Sequence, residues 1–193
     1  MITTKEDLKY YLFQDKLNLK VKAKKPKRNK NEVWRYEIVL RYHEYYLNKE
    51  KKSILDKVRL RYYEKLHHKL SVLYTTSIPV NVTGPGLSIG HLGTLYVNSK
   101  SKIGKNLRIQ SGVTIGGAAG KDGLPIIGDN VYIGSGAKII GPVEIANDVA
   151  IGANAVVTKS ILEPGTTWAG VPAKKISNNN SHAYIAKEVL DCK

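Results

Sequence analysis

From Ile103 to Val157 an aliphatic residue returns at every sixth position, with one interruption. The series runs Ile103, Ile109 and Ile115, then Ile127, Ile133, Ile139, Ile145, Ile151 and Val157. Two positions before the later members stands another small or branched residue: Leu107, Val113, Val131, Ala137, Val143, Val149 and Ala155. Strands repeat in twos and helices in 3.6s, so a strict period of six fits neither alone. It fits a short straight run, a turn and a repeat, with three runs closing one triangular coil. Stacked coils bury a continuous aliphatic column that no single repeat could bury alone. A mainly β chain is expected, with a parallel β-helix over 76–176, a helical region over 1–75 before it and a tail over 177–193.

The helical region is read from caps and stripes. Thr3-x-x-Glu6 has the form of a capping box, which predicts a helix to about Leu17. Residues 20–30 are almost all Lys, Arg and Asn around Pro26 and read as a linker or mobile loop. Asn31 can cap a second helix to about Asn48, with Trp34, Ile38, Tyr42 and Tyr45 on one face. A third is expected from Ser53 to Leu73, with Leu55, Val58, Tyr62, Leu66 and Leu70 as its buried stripe.

Charge is uneven. Met1 to Thr76 holds 20 Lys and Arg against 9 Asp and Glu, out of 31 and 16 in the whole chain. A basic balance suits anionic partners such as a nucleotide cofactor or a sugar nucleotide. Nucleic acid needs a recognition motif as well, and none is present. Apolar runs are short and broken, so no membrane span is expected. The one cysteine, Cys192, permits no intrachain disulfide and fits a reducing, cytoplasmic setting.

Two irregularities interrupt the repeat. Ile89 to Val97 is two residues longer than one period, which predicts a bulge at His91, the only histidine of the repeat region. Bulges re-aim side chains and gather near active sites. Ala118 to Pro125 also breaks the pattern, while Ile115 to Ile133 still spans three whole periods. One side of that coil is therefore expected to be replaced by a loop. Positions three periods apart should stack, giving a row of Gly117, Ser135, Ala153 and Val171. Its small members would leave a groove fit for a narrow, amide-bearing ligand. Lys159, Lys174 and Lys175 lie near the later coils and could meet phosphates.

These residues carry a resemblance. The hexapeptides, His91-x-Gly93, Val113-Thr114-Ile115-Gly116-Gly117, Ile133-Gly134-Ser135-Gly136-Ala137-Lys138 and the closing Ala169-Gly170-Val171-Pro172-Ala173-Lys174 resemble the serine acetyltransferase branch of the left-handed β-helix acyltransferases. The resemblance covers roughly Gly84 to Ile176. It implies a left-handed coil, a homotrimer with sites between subunits, and acetyl-CoA as cosubstrate with no metal. It further implies His91 as general base and Gly117, Ser135 and Ala153 along the coenzyme arm. Backbone N–H groups near Gly116 and Gly117 are candidates for the oxyanion.

Three positions depart from that family. Gly90 stands where the resemblance implies an aspartate before the histidine, Leu124 where it implies a second histidine, and Thr76 where it implies the aspartate that orients the base. The expected acceptor is therefore a hydroxyl of a sugar or surface-polysaccharide precursor, as in serine acetyltransferase-like proteins of capsule and exopolysaccharide clusters. L-Serine is the alternative acceptor. Arg41 and Glu44 of Arg41-x-x-Glu44-Tyr45 are candidates for contacting the acceptor or orienting His91. The fold also hosts zinc carbonic anhydrases, but such a site needs three histidines and the coils offer His91 alone.

Overall fold

A computed structural model describes residues 1–27 and 30–191. Cys192 and part of the basic 20–30 stretch lie outside the described residues. Three helices come first: α1 (Lys5–Asn18), α2 (Glu32–Asn48) and α3 (Ile54–Leu73). Helix α1 starts at a capping box, but one residue later than expected: Thr4 accepts from Asp7 N–H, and the Asp7 carboxylate returns to Thr4 N–H. Ser53 and Asp56 open α3 in the same way.

The rest of the chain winds through three parallel sheets. The first face holds Thr76–Ser77, Leu95–Val97, Thr114–Gly116, Lys138–Ile140 and Val156–Val157. The second holds Lys102–Ile103, Ile126–Ile127 and Glu144–Ile145. The third holds Ser88–Ile89, Arg108–Ile109, Tyr132–Ile133, Ala150–Ile151 and Thr167–Ala169, then the antiparallel strand Lys174–Ser177. All nine members of the aliphatic series are buried, as are the seven that precede them by two. The period of six is thus the spacing of three faces around one apolar column.

Corners need residues that accept a left-handed backbone. Asn106, Asn130 and Asp148 turn the chain from the second face to the third at φ of 58°, 56° and 61°. Short polar side chains tolerate that region by bonding locally. Here they bond along the stack, Asn106 Nδ2 to Asn130 Oδ1 and Asn130 Nδ2 to Asp148 Oδ1, each at 2.8 Å.

The first coil has no coil above it, so its backbone groups would be left open. Helices α1 and α2 meet them with polar side chains. Asp15 Oδ1 accepts from the N–H groups of Gly86 and Leu87, both at 2.8 Å. Arg41 donates to the carbonyls of Thr83 and Gly84, Glu44 accepts from Asn81 N–H, and Glu37 accepts from Ile89 N–H. Arg41 also pairs with Asp15 at 2.7 Å and Glu44 at 3.0 Å, and all three side chains are buried. Burial opposes the charge of Arg41, but the two carboxylates outweigh it and raise its pKa.

This corrects the expected role of Arg41 and Glu44. Their hydrogen bonds go to Asp15, Thr83, Gly84 and Asn81, and among the described residues none joins either to His91. They hold the coil to the helices. The expected stripe of α3 is corrected too. Leu55, Val58 and Tyr62 are exposed, and of that stripe only Leu70 is buried, with Leu66 packed beside it. The tail returns along the third face: Tyr184 stacks on Tyr132 with ring centres 3.9 Å apart, and α4 (Lys187–Leu190) reaches α1.

The loop at 118–125 differs from its expected form. Strand Ile126–Ile127 keeps the second face intact, and Ile127 pairs with Ile103 across a coil that the loop lengthens. Six residues are added to a complete coil, and no side is replaced. Ile115 and Ile133 lie on different faces, so their separation by three whole periods is a coincidence of count.

Two outcomes are expected. Arg41→Ala leaves Asp15 and Glu44 buried without their cation, so chemical denaturation should report a loss of about 3–5 kcal/mol. His67 is buried, and its pKa falls to about 4 through burial and then the charges of His43 and His68. Unfolded, a histidine titrates near ~6.5. Between those values the unfolded chain binds a proton that the fold does not, so stability present above ~6.5 is lost as pH falls toward 4. Denaturant midpoints at pH 7 and pH 5 should therefore differ more for the wild type than for His67→Gln.

Candidate functional site

His91 lies in the corner between Ser88–Ile89 on the third face and Leu95–Val97 on the first. Ile89 pairs with Ile109, two positions further along the chain than a regular coil would place its partner. The surplus forms an exposed loop around His91. Gly93 brings the loop back at a φ of 135°, which side-chain-bearing residues rarely adopt. That is the physical reason for the His-x-Gly spacing. The loop is tied at both ends: Glu37 Oε1 accepts Ile89 N–H at 2.9 Å, and Gly93 N–H meets Thr76 Oγ1 at 3.4 Å. Tyr36, beside Glu37 on α2, donates its hydroxyl to Thr76 C=O at 3.1 Å.

The same corner continues through later coils. Register carries it from the His91 loop past Ser111 to Ser135, Ala153 and Gly170. Ser135 C=O accepts Asn154 N–H at 2.8 Å, which fixes that stacking. Ser135 and Ala153 are exposed. The small side chains leave backbone within reach of a ligand lying along the edge, so the corner fits a narrow, amide-bearing arm.

The expected row of Gly117, Ser135, Ala153 and Val171 is corrected here. Gly116 pairs with Ile140, one full period beyond the partner a regular coil would give it, because of the six-residue addition. Gly116 and Gly117 therefore sit where the chain leaves the first face, and Ser135 where it arrives. Gly117 is level with Gly141, six residues beyond Ser135, so the two corners stand a whole side of the coil apart, roughly 15–20 Å. Ala153 is followed in its row by Gly170, since Ile151 pairs with Trp168. Lys159 follows Val156–Val157 and so shares the corner of Gly117. Lys174 is exposed on the last strand, and Lys175 pairs with Glu163 at 2.5 Å.

The three departures have visible neighbours. A side chain at Gly90 would collide with the side chain of Gln110, which fills that space. Leu124 folds back over Gly117, where its Cδ2 would lie 3.2 Å from an added Cβ. Thr76 is wholly buried and bonds the loop backbone. A cavity of about 330 Å³ opens beside His91, lined among others by Trp34, Val33, Glu32, Lys30 and Arg108. Arg108 and Glu37 were not singled out from sequence. The signal for Arg108 was its place directly before Ile109, which turns it away from the column. Glu37 carried no such signal.

Comparison with known proteins adds to this geometry. Residues 125–159 match the family described as bacterial transferase hexapeptide (six repeats). The serine acetyltransferase of Mycobacterium tuberculosis is 38% identical over 103 residues, covering 52% of this chain and 44% of that protein. A solved serine acetyltransferase in complex with CoA superposes with a TM-score of 0.60 at 30% identity, covering 75% of this chain and 57% of the other. That of Neisseria gonorrhoeae, in complex with serine, gives 0.63 at 25% identity, with 90% and 70% covered. The chain is similar to serine acetyltransferases. It spans about half the length of the curated relatives it matches. These relatives overturn the expected sugar or polysaccharide-precursor acceptor, because they are named for serine. Among the described residues no helix is long and apolar enough to cross a membrane.

Proposed function

We propose that the chain is an acetyl-CoA-dependent L-serine O-acetyltransferase with His91 as its general base. The observation that carries this reading is the placement of His91 in a register break, at the head of the small-residue corner of Ser135 and Ala153. The named relatives support the acceptor.

In this reading neutral His91 takes the proton of the serine hydroxyl as its oxygen attacks the thioester carbonyl. The tetrahedral oxyanion is held by backbone N–H groups. It collapses with loss of the thiolate, which receives the proton from His91 and leaves as CoA. The acyl-carrying arm lies along Ser135 and Ala153, and Lys174 is an exposed cation available to its phosphates, while Lys159 stands at the Gly117 corner of the coil. Lys175 is partly neutralised by Glu163.

We further infer a left-handed coil assembled as a homotrimer. Within one chain His91 starts the first face while Gly116 and Gly117 end it. A symmetric neighbour could bring its Gly117 corner to this His91 and complete the site.

Two measurements test the mechanism. Ala153→Trp should fill the corner and weaken acetyl-CoA binding in calorimetry, with the melting temperature unchanged because Ala153 lies outside the column. Unchanged affinity in that variant would misplace the arm. CoA release from acetyl-CoA should depend on added L-serine. His91→Ala should lower turnover on the order of 10²–10⁴, the worth of a positioned base. A folded, fully active His91→Ala would end the mechanism.

A further inference from the structure

Arg108 stands on the strand Arg108–Ile109 and lines the same cavity as His91. Its side chain is only partly exposed. Among the described residues it makes one hydrogen bond, from Nη1 to Ser88 Oγ at 2.6 Å, and no ion pair. Burial works against its charge, and Glu37 is the carboxylate that acts on it. Glu37 is itself wholly buried. Burial, then the nearby Asp15, pushes its pKa well above the usual carboxylate range, which favours its neutral form and weakens that compensation. One Glu37 oxygen is committed to Ile89 N–H and the other has no partner.

A half-buried guanidinium with most of its N–H groups free and no full counter-charge is poised to take an anion. Its planar fork matches a carboxylate in two parallel bonds. Lys30 adds a second cation to the cavity wall, against the single carboxylate of Glu32. The volume of about 330 Å³ readily accommodates a small amino acid.

We propose that Arg108 receives the carboxylate of the acceptor and so holds its hydroxyl in the cavity that His91 shares. The inference rests on the serine reading and assigns one contact within it. Ser88 fixes one edge of the guanidinium, which leaves the other to the ligand.

The test compares L-serine with serinamide, which keeps the hydroxyl and amino groups but lacks the carboxylate. Arg108→Met should raise KM for L-serine about 10- to 100-fold, as expected for a lost hydrogen bond between charged groups. KM for acetyl-CoA should not move, and serinamide should be handled alike by variant and wild type. Equal losses on serine and serinamide, or an unchanged KM for serine, would overturn the assignment. Arg108→Lys keeps the charge without the fork and serves if the methionine variant does not fold. Its KM for serine should rise relative to serinamide, and an unchanged ratio again overturns the assignment. A wild-type protein that releases no CoA with L-serine overturns this contact together with the proposed function. Activity on serine that is indifferent to residue 108 removes the contact alone.

Discussion

A stack of coils bonded backbone to backbone always has a first member with one unpaired edge, and that edge is the constraint on which this structure depends. Open strand edges invite adventitious pairing, and buried backbone groups without partners are costly. The edge here is closed by side chains. Asp15, Glu37, Arg41 and Glu44 each end on a backbone group of the first coil. Placing such groups out of water is unfavourable for each alone, and the mutual pairing of Arg41 with two carboxylates offsets it. The same closure reaches the candidate site. Glu37 holds the backbone before His91, and Tyr36 steadies Thr76, which holds the backbone after it. The helices thus bear on the geometry of a loop whose chemistry belongs to the coil.

The column was legible because burial and spacing coincide. An outward residue at any of the nine aliphatic positions would have spoiled the period, and none is outward. Helix limits were legible to within a residue or two, since Ser53 and Asn31 mark the starts of α3 and α2 plainly. The packing of the helices was not legible. Helical stripes are sought among apolar residues, yet α2 turns Glu37, Arg41 and Glu44 inward because its partner is a backbone edge. Helix α3 shows the reverse: apolar Leu55, Val58 and Tyr62 have the spacing of a core stripe and are exposed. Nothing in a single sequence distinguishes an apolar stripe with a partner from one without.

Within the candidate site the difficulty was counting. Gly117 and Ser135 are separated by the length of one regular coil, but six inserted residues lie between them. The strands at Thr114–Gly116 and Ile126–Ile127 were needed to see that the insertion lengthens a coil without displacing a face. The departures at Gly90, Leu124 and Thr76 are visible as letters, and as letters they point to a change of acceptor. In space they are local rearrangements: Gln110 fills the room above Gly90, Leu124 covers Gly117, and Thr76 ties down Gly93. Relatives named for serine redirected the acceptor reading.

The pairing pattern also bears on how the chain is built in time. Each strand of the coil bonds to the strand made one turn before it, apart from the closing hairpin of the last two strands. Short loop closures of this kind are entropically mild and favour rapid growth. Helices α1 and α2 precede the coil in the chain and carry the groups that receive its first turn. Each later coil then meets a finished template just ahead of it. The end of the stack that the helices cover is therefore also the end that comes first in the chain.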